Sequence, residues 1–273
     1  MDSGGQARTK AAAWLGAGLL LAAAGIDAQA QRPVSRARSI TAVIPTKNTS
    51  DNIQQLFASA QNAADQNRFD EAVRIYASII SLSAGSPKNA ALAQSKIGSA
   101  YMAQRKFANA VVAFQRSLSL NPTDAEAQNN LGEAFGELKQ YARAIEAFTK
   151  AAGIDAALLR ARYNQGVTYG RMGNARYAEF VFRNLMKSSP NYALAYDGLA
   201  VTLSRSGRAK EAIAYHEKAI ALNPDDPSFY YNLAISYLIL GNTEKALAQQ
   251  EKLKAIDPMI ADRLASAIVK HQM

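Results

Sequence analysis

Side chains able to do chemistry are few in this chain, and their spacing does not suit it. Two histidines occur, His216 and His271, and there is no cysteine. No His-Glu-x-x-His, Gly-x-Ser-x-Gly, phosphate loop or cysteine cluster is present to hold a metal, activate a nucleophile or cradle a phosphate. The carboxylate pairs Asp70-Glu71 and Asp225-Asp226 each stand at the expected start of a helix, where acidic side chains complement the helix dipole. They are accounted for without hydrolytic chemistry. His216 occupies a helical position that elsewhere in the chain carries an aromatic ring, which assigns it to packing rather than to proton transfer or metal ligation. The expectation is a non-catalytic protein with no metal and no cofactor.

The charge and the first thirty residues say where such a protein works. The 273 residues carry a formal net charge of +9, from 31 Lys and Arg against 22 Asp and Glu. The basic side chains are scattered rather than clustered, which argues against nucleic acid. An acidic protein partner, or peripheral contact with a membrane or envelope complex, suits the charge better. Residues 1–30 read as an export signal. Arg8 and Lys10 precede an uncharged run from Ala11 to Ile26, and Ala28-Gln29-Ala30 offers the small-x-small pattern for cleavage after Ala30. That run falls short of the roughly twenty residues a bilayer span needs; an uncleaved anchor is the competing reading. Residues 31–50, with Arg32, Arg36, Arg38 and Lys47, read as a flexible basic linker. A periplasmic or secreted location is expected, and the absence of cysteine is compatible with it.

Beyond residue 50 the chain repeats itself every 34 residues. Ile97-Gly98-x2-Tyr101, Ala110-x3-Phe114 and Asn121-Pro122 return as Leu131-Gly132-x2-Phe135 with Ala144-x3-Phe148, and again as Gln165-Gly166-x2-Tyr169 with Ala178-x3-Phe182. Leu199-Ala200 with Ala212, and Leu233-Ala234-x2-Tyr237 with Ala246, continue the series. Each unit has the period of two helices, A and B, with small residues where the helices meet and aromatic residues filling the space between. Gly173, Gly207 and Gly241 end helix A, and Pro122, Pro190, Pro224 and Pro258 follow the end of helix B. These residues resemble the tetratricopeptide repeat family. The fold implied is an all-α, right-handed superhelix of six helix pairs plus a capping helix. The domain spans 51–273, with repeats at about 53–90, 91–124, 125–158, 159–192, 193–226 and 227–260 and the cap at 261–273. The first repeat is degenerate: Ile53, Leu56, Phe57, Ala60, Ala72 and Tyr76 keep its pattern, and four extra residues around Ala84-Gly85-Ser86-Pro87 lengthen its exit.

The resemblance also implies a binding face, because in this family the A helices line a concave groove. Its positions fall here on Glu126, Asn129, Asn130, Glu133 and Glu137 in the third repeat, and on Arg160, Tyr163, Asn164, Val167 and Arg171 in the fourth. They continue with Asp197, Val201 and Arg205 in the fifth, and Tyr231, Asn232, Ile235, Leu238 and Ile239 in the sixth. Asn130, Asn164 and Asn232 recur at one position, where side-chain amides could bond an extended peptide; asparagine is also simply common there. Gly136 and Gly170 stand inside helix A, either to admit a ligand backbone or to relieve crowding between A helices. The lysine and asparagine clamp of chaperone-binding members is not reproduced, since Glu133 and Glu137 occupy the third repeat. The function expected is a protein-interaction scaffold or adaptor of the cell envelope, binding a partner's peptide segment, with pilus or secretion-system assembly as its setting. The rival is a scaffold or polymer-binding protein for polysaccharide export, for which Tyr163 and Tyr231 would be the stacking platforms.

Overall fold

The computed structural model describes residues 49–83 and 85–272; the residues read as an export signal, and almost all of those read as a linker, lie outside them. Thirteen helices and no strand occur among the described residues. They form two compact units divided after Leu158. The N-terminal unit holds α1 (Thr49–Asp65), α2 (Phe69–Leu82), α3 (Pro87–Ala103), α4 (Phe107–Leu120), α5 (Ala125–Glu137) and α6 (Tyr141–Ile154). The C-terminal unit holds α7 (Leu159–Arg171), α8 (Ala175–Ser188), α9 (Ala193–Arg205), α10 (Ala209–Leu222), α11 (Pro227–Ile239), α12 (Thr243–Ile256) and α13 (Pro258–Gln272). Within each unit every helix packs on the next, so three helix pairs stack in each, and α13 closes the second. The four extra residues of the first repeat do not lengthen its exit. Ser86 caps α3 by accepting from the Asn89 amide, Pro87 takes the first helical position, and the insertion becomes an added turn at the start of α3.

The separation of the helices in a pair comes from one contact. A Cβ added to Gly98, Gly132 or Gly166 would come within 2.6, 2.6 and 2.7 Å of the rings of Phe114, Phe148 and Phe182. No side chain fits there while the ring keeps its place. On the partner helices Ala110, Ala144, Ala178, Ala212 and Ala246 are all 0% exposed. In the fifth and sixth repeats Ala200 and Ala234 take the glycine's position, and His216 and Gln250 the phenylalanine's. Phe182 serves two neighbours, because a Cβ on Gly198 of the next pair would also meet its ring at 2.6 Å.

The turn between helices A and B is the same in all six pairs. The amides of Arg68, Lys106, Gln140, Asn174, Arg208 and Asn242 donate to the carbonyls of Ala63, Tyr101, Phe135, Tyr169, Leu203 and Tyr237 at 2.8–2.9 Å. This closure requires a left-handed residue just before the donor. Gly173, Gly207 and Gly241 meet it with φ of 77°, 80° and 73°. In the N-terminal unit the same conformation falls on Asn67, Arg105 and Lys139, at 58°, 58° and 59°. A side chain there costs energy that glycine avoids, so the backbone geometry is imposed by the helices on either side.

The final helix does more than cap α12. α13 packs on both α11 and α12, and its Ile260, Ala261, Leu264, Ala267 and Ile268 join one buried cluster with Tyr230, Tyr231, Ile235 and Leu238.

Two glycines should respond to substitution with opposite sign. Gly132→Leu overpacks the α5–α6 contact and should lower stability by about 1–3 kcal/mol. Gly170→Ala, with nothing within 4 Å of the new Cβ, should raise it by about 0.5–1 kcal/mol. Lys139→Gly should also stabilise, by about 0.5–1 kcal/mol after the greater freedom of glycine in the unfolded chain is deducted. Thermal and denaturant unfolding of the three variants measures all three effects.

Candidate functional site

The helix-A positions implied as a binding face divide sharply by burial. Asn130, Glu133, Glu137, Arg160, Asn164, Arg171 and Arg205 reach solvent wholly or in part. Asn129, Asp197, Tyr163, Asn232, Tyr231, Ile235, Val167 and Val201 are at most 5% exposed. In the sixth repeat the reason is α13, which covers the face that would have received a ligand. Arg263 of that helix lies over the Tyr231 ring, 5.8 Å from its centroid, so Tyr231 offers no open stacking surface. The three asparagines do not share an environment either. Asn130 and Asn164 are partly exposed, whereas Asn232 is buried and donates through Nδ2 to Asp197 Oδ2 at 2.9 Å.

That bond belongs to a polar network joining three helices of the C-terminal unit. His216 on α10 meets Asp197 Oδ1 on α9 through Nδ1 at 2.7 Å, and Ser236 Oγ on α11 through Nε2 at 3.1 Å. Ser236 is in turn 2.7 Å from Ser204 Oγ on α9. With the hydrogen on Nδ1, His216 donates to Asp197, Ser236 donates to Nε2, and Ser204 donates to Ser236, so each of these groups has a partner. The order aspartate–histidine–serine is that of a hydrolytic relay. Here, however, Asp197, His216 and Ser236 are each 0% exposed, and the network's bonds tie the helices together. His216 is therefore a packed side chain, as its sequence position implies, but a hydrogen-bonded one. Ser204 and Ser236 were not singled out from the sequence. The available signal was coincidence: His216 stands where the third and fourth repeats carry Phe148 and Phe182, and Ser204 where they carry Gly136 and Gly170.

Beside the network, α7, α8 and α9 enclose a pocket of about 320 Å³. Tyr163, Val167, Phe182 and Val201 supply apolar walls, Gly170 and Gly198 contribute bare backbone, and Arg205 stands among the lining residues. Gly170 meets nothing within 4 Å of its missing Cβ; it does not relieve crowding between A helices, and the space it leaves is part of the pocket. Burial, and secondarily the charge of Arg171, lower the pKa of the Arg205 guanidinium. Burial raises the Tyr163 hydroxyl well above its ordinary value, with the Asp197 carboxylate adding to the effect. Burial likewise pushes Tyr192 up to about 12, against the opposing charge of Arg160. Among the described residues no group of three His, Cys, Asp or Glu side chains is arranged to hold a metal ion.

Models of the tetratricopeptide repeat match the chain over residues 95–158, 193–223 and 217–248. The chain is a tetratricopeptide repeat protein. Repeats of this kind are typically non-catalytic scaffolds that bind proteins or peptides. No curated protein matches the chain in sequence. Among solved structures, a tetratricopeptide repeat protein from Parabacteroides merdae is 19% identical with a TM-score of 0.67, covering 81% of this chain and 86% of that one. PilW, a type IV pilus biogenesis factor, is 22% identical with a TM-score of 0.61 and coverages of 76% and 94%. Pseudomonas aeruginosa pilF is 14% identical with a TM-score of 0.60 and coverages of 81% and 100%. These likenesses are of fold.

The buried network makes this tetratricopeptide repeat protein sensitive at Asp197, whose carboxylate serves two side chains at once. Asp197→Ala strips His216 and Asn232 of their acceptor and should cost about 3–5 kcal/mol. Asp197→Leu combined with His216→Phe replaces the hydrogen-bonded pair with apolar packing and should recover part of that loss, Asn232 alone still lacking its acceptor. Denaturant unfolding of the single and double variants gives the comparison.

Proposed function

We propose that the protein is an exported scaffold that captures a segment of another protein on the accessible A-helix residues of its C-terminal unit. The observation that carries this reading is the pocket beside α7 and α9. Most small and aromatic residues of the repeat are consumed in packing, and the side chains of the buried Asp197–His216 network are engaged with one another. What remains is a half-open, apolar recess with Arg160, Arg171 and Arg205 on the helices that form it. Concave, mostly apolar sites with a few placed polar groups are where proteins bind ligands. The N-terminal pattern of Arg8, Lys10, the uncharged run and Ala28-Gln29-Ala30 supports export. No helix among the described residues is long and apolar enough to cross a membrane. The likeness to PilW and pilF is compatible with service in pilus assembly. The polysaccharide-export alternative is weakened at Tyr231, which α13 and its Arg263 cover.

A photo-reactive side chain at Asn164 should cross-link to a protein in the envelope, and one at Lys218 on exposed α10 surface should not. Arg160→Glu and Arg171→Glu should reduce the Asn164 product, with wild-type capture weakening as salt rises. Cross-linking confined to Lys218 places the partner elsewhere and refutes the assignment of the face. Export is checked separately by mass analysis, which should find Gln31 as the first residue of the envelope-fraction protein; a chain retaining Met1 in the membrane is the anchor instead.

A further inference from the structure

The recess between α7 and α9 has a chemistry that narrows what it receives. Its walls are the rings of Tyr163 and Phe182 and the side chains of Val167 and Val201, and its volume of about 320 Å³ lies at the small end of the range for ligand pockets. That is room for one large side chain rather than for a folded element. Gly170 and Gly198 hold the space open for different reasons. A Cβ on Gly198 would strike Phe182 at 2.6 Å, while one on Gly170 would enter empty space. The cavity is therefore a deliberate absence at Gly170 and a packing requirement at Gly198.

The polar groups of the recess carry a definite sign. Arg205 is partly buried, and among the described residues no hydrogen bond or ion pair engages its guanidinium. It also bears the repulsion of Arg171, which adds to the cost of keeping it charged in this place. An arginine in such surroundings presents a planar set of donors suited to a carboxylate. The Tyr163 hydroxyl, on a side chain 2% exposed, makes no hydrogen bond among the described residues and can donate as well. The one acidic residue of the lining, Asp197, engages both oxygens with His216 and Asn232; its charge still reaches Tyr163, so the place for an anion is at Arg205.

We infer that this recess is an anchor for a partner segment in which a large apolar side chain, of leucine to phenylalanine size, lies next to an aspartate or glutamate. The apolar side chain enters between Tyr163 and Val201 while the adjoining carboxylate pairs with Arg205. This rests on the scaffold reading and specifies the partner's chemistry.

The test uses the full-length chain and an array of short synthetic peptides carrying every pairing of residues at two central positions. Binding should concentrate on pairs of Leu, Met or Phe with Asp or Glu, and should fall as salt rises. Arg205→Glu should weaken those peptides by at least about tenfold. Gly170→Leu should do the same by filling the recess, and circular dichroism with thermal unfolding verifies that this variant stays folded. Equal binding of uncharged or basic pairs, or wild-type affinity in folded Gly170→Leu, overturns the inference. So does an array with no bound peptide. If Asn164 still cross-links to an envelope protein while Gly170→Leu and Arg205→Glu change nothing, the anchor is wrong and the scaffold stands. If no protein is cross-linked from Asn164 but the array shows the expected pairs, the anchor stands and the assigned cellular role falls.

Discussion

A phenylalanine ring seated where a Cβ would have been sets the distance between the two helices of a pair. Gly98 with Phe114, Gly132 with Phe148 and Gly166 with Phe182 repeat this contact at nearly the same separation. Each helix pair is then a rigid unit whose outer faces are determined by what its inner faces must bury. The buried alanines follow from that separation, since a longer side chain would reopen it. The left-handed turns follow too: the helices leave little choice of path between them, and Arg105 and Lys139 accept the same backbone as Gly173. Even the recess between α7 and α9 depends on this ring, because Phe182 holds the backbone of α9 through Gly198 while forming one of the recess walls.

In the fifth repeat that apolar rule gives way to a polar one. His216 takes the position of the ring, and its two nitrogens reach Asp197 and Ser236 on different helices. Buried charge costs free energy unless every partner is satisfied, and a satisfied network gains directionality that apolar contacts lack. The result is a junction whose geometry tolerates little sliding, next to a recess that has to keep its shape to be useful. Rigid support beneath an open site lowers the ordering cost of binding.

Much of this architecture was legible in the residues alone. Period, pairing, small positions, helix ends and the terminal helix all follow from local constraints that repeat, so each copy checks the others. The added turn of α3 was misread as a longer exit, because Ser86-Pro87 marks the start of a helix as readily as the end of one. The binding face was legible only in outline. Position within helix A says which way a side chain points, but not whether another element covers it. Tyr231, Ile235 and Leu238 were lost to α13, and Asn232 and Asp197 to a network whose members lie up to 39 residues apart in sequence, from Asp197 to Ser236. Arg205 and the open side of Gly170 survived because no other element covers them.

The two kinds of contact differ in what they ask of neighbouring copies. Gly132 and Phe148 belong to the same repeat, so that unit carries both halves of its own lock. Asp197 and His216 belong to the fifth repeat, but Asn232 and Ser236, which complete their bonding, come from the sixth. Repeats two and three are to that extent interchangeable parts, whereas five and six form a matched set. Duplication or exchange of single repeats would be tolerated upstream, and downstream would strand a buried carboxylate and a histidine without their complements. The chain is thus modular at one end and indivisible at the other.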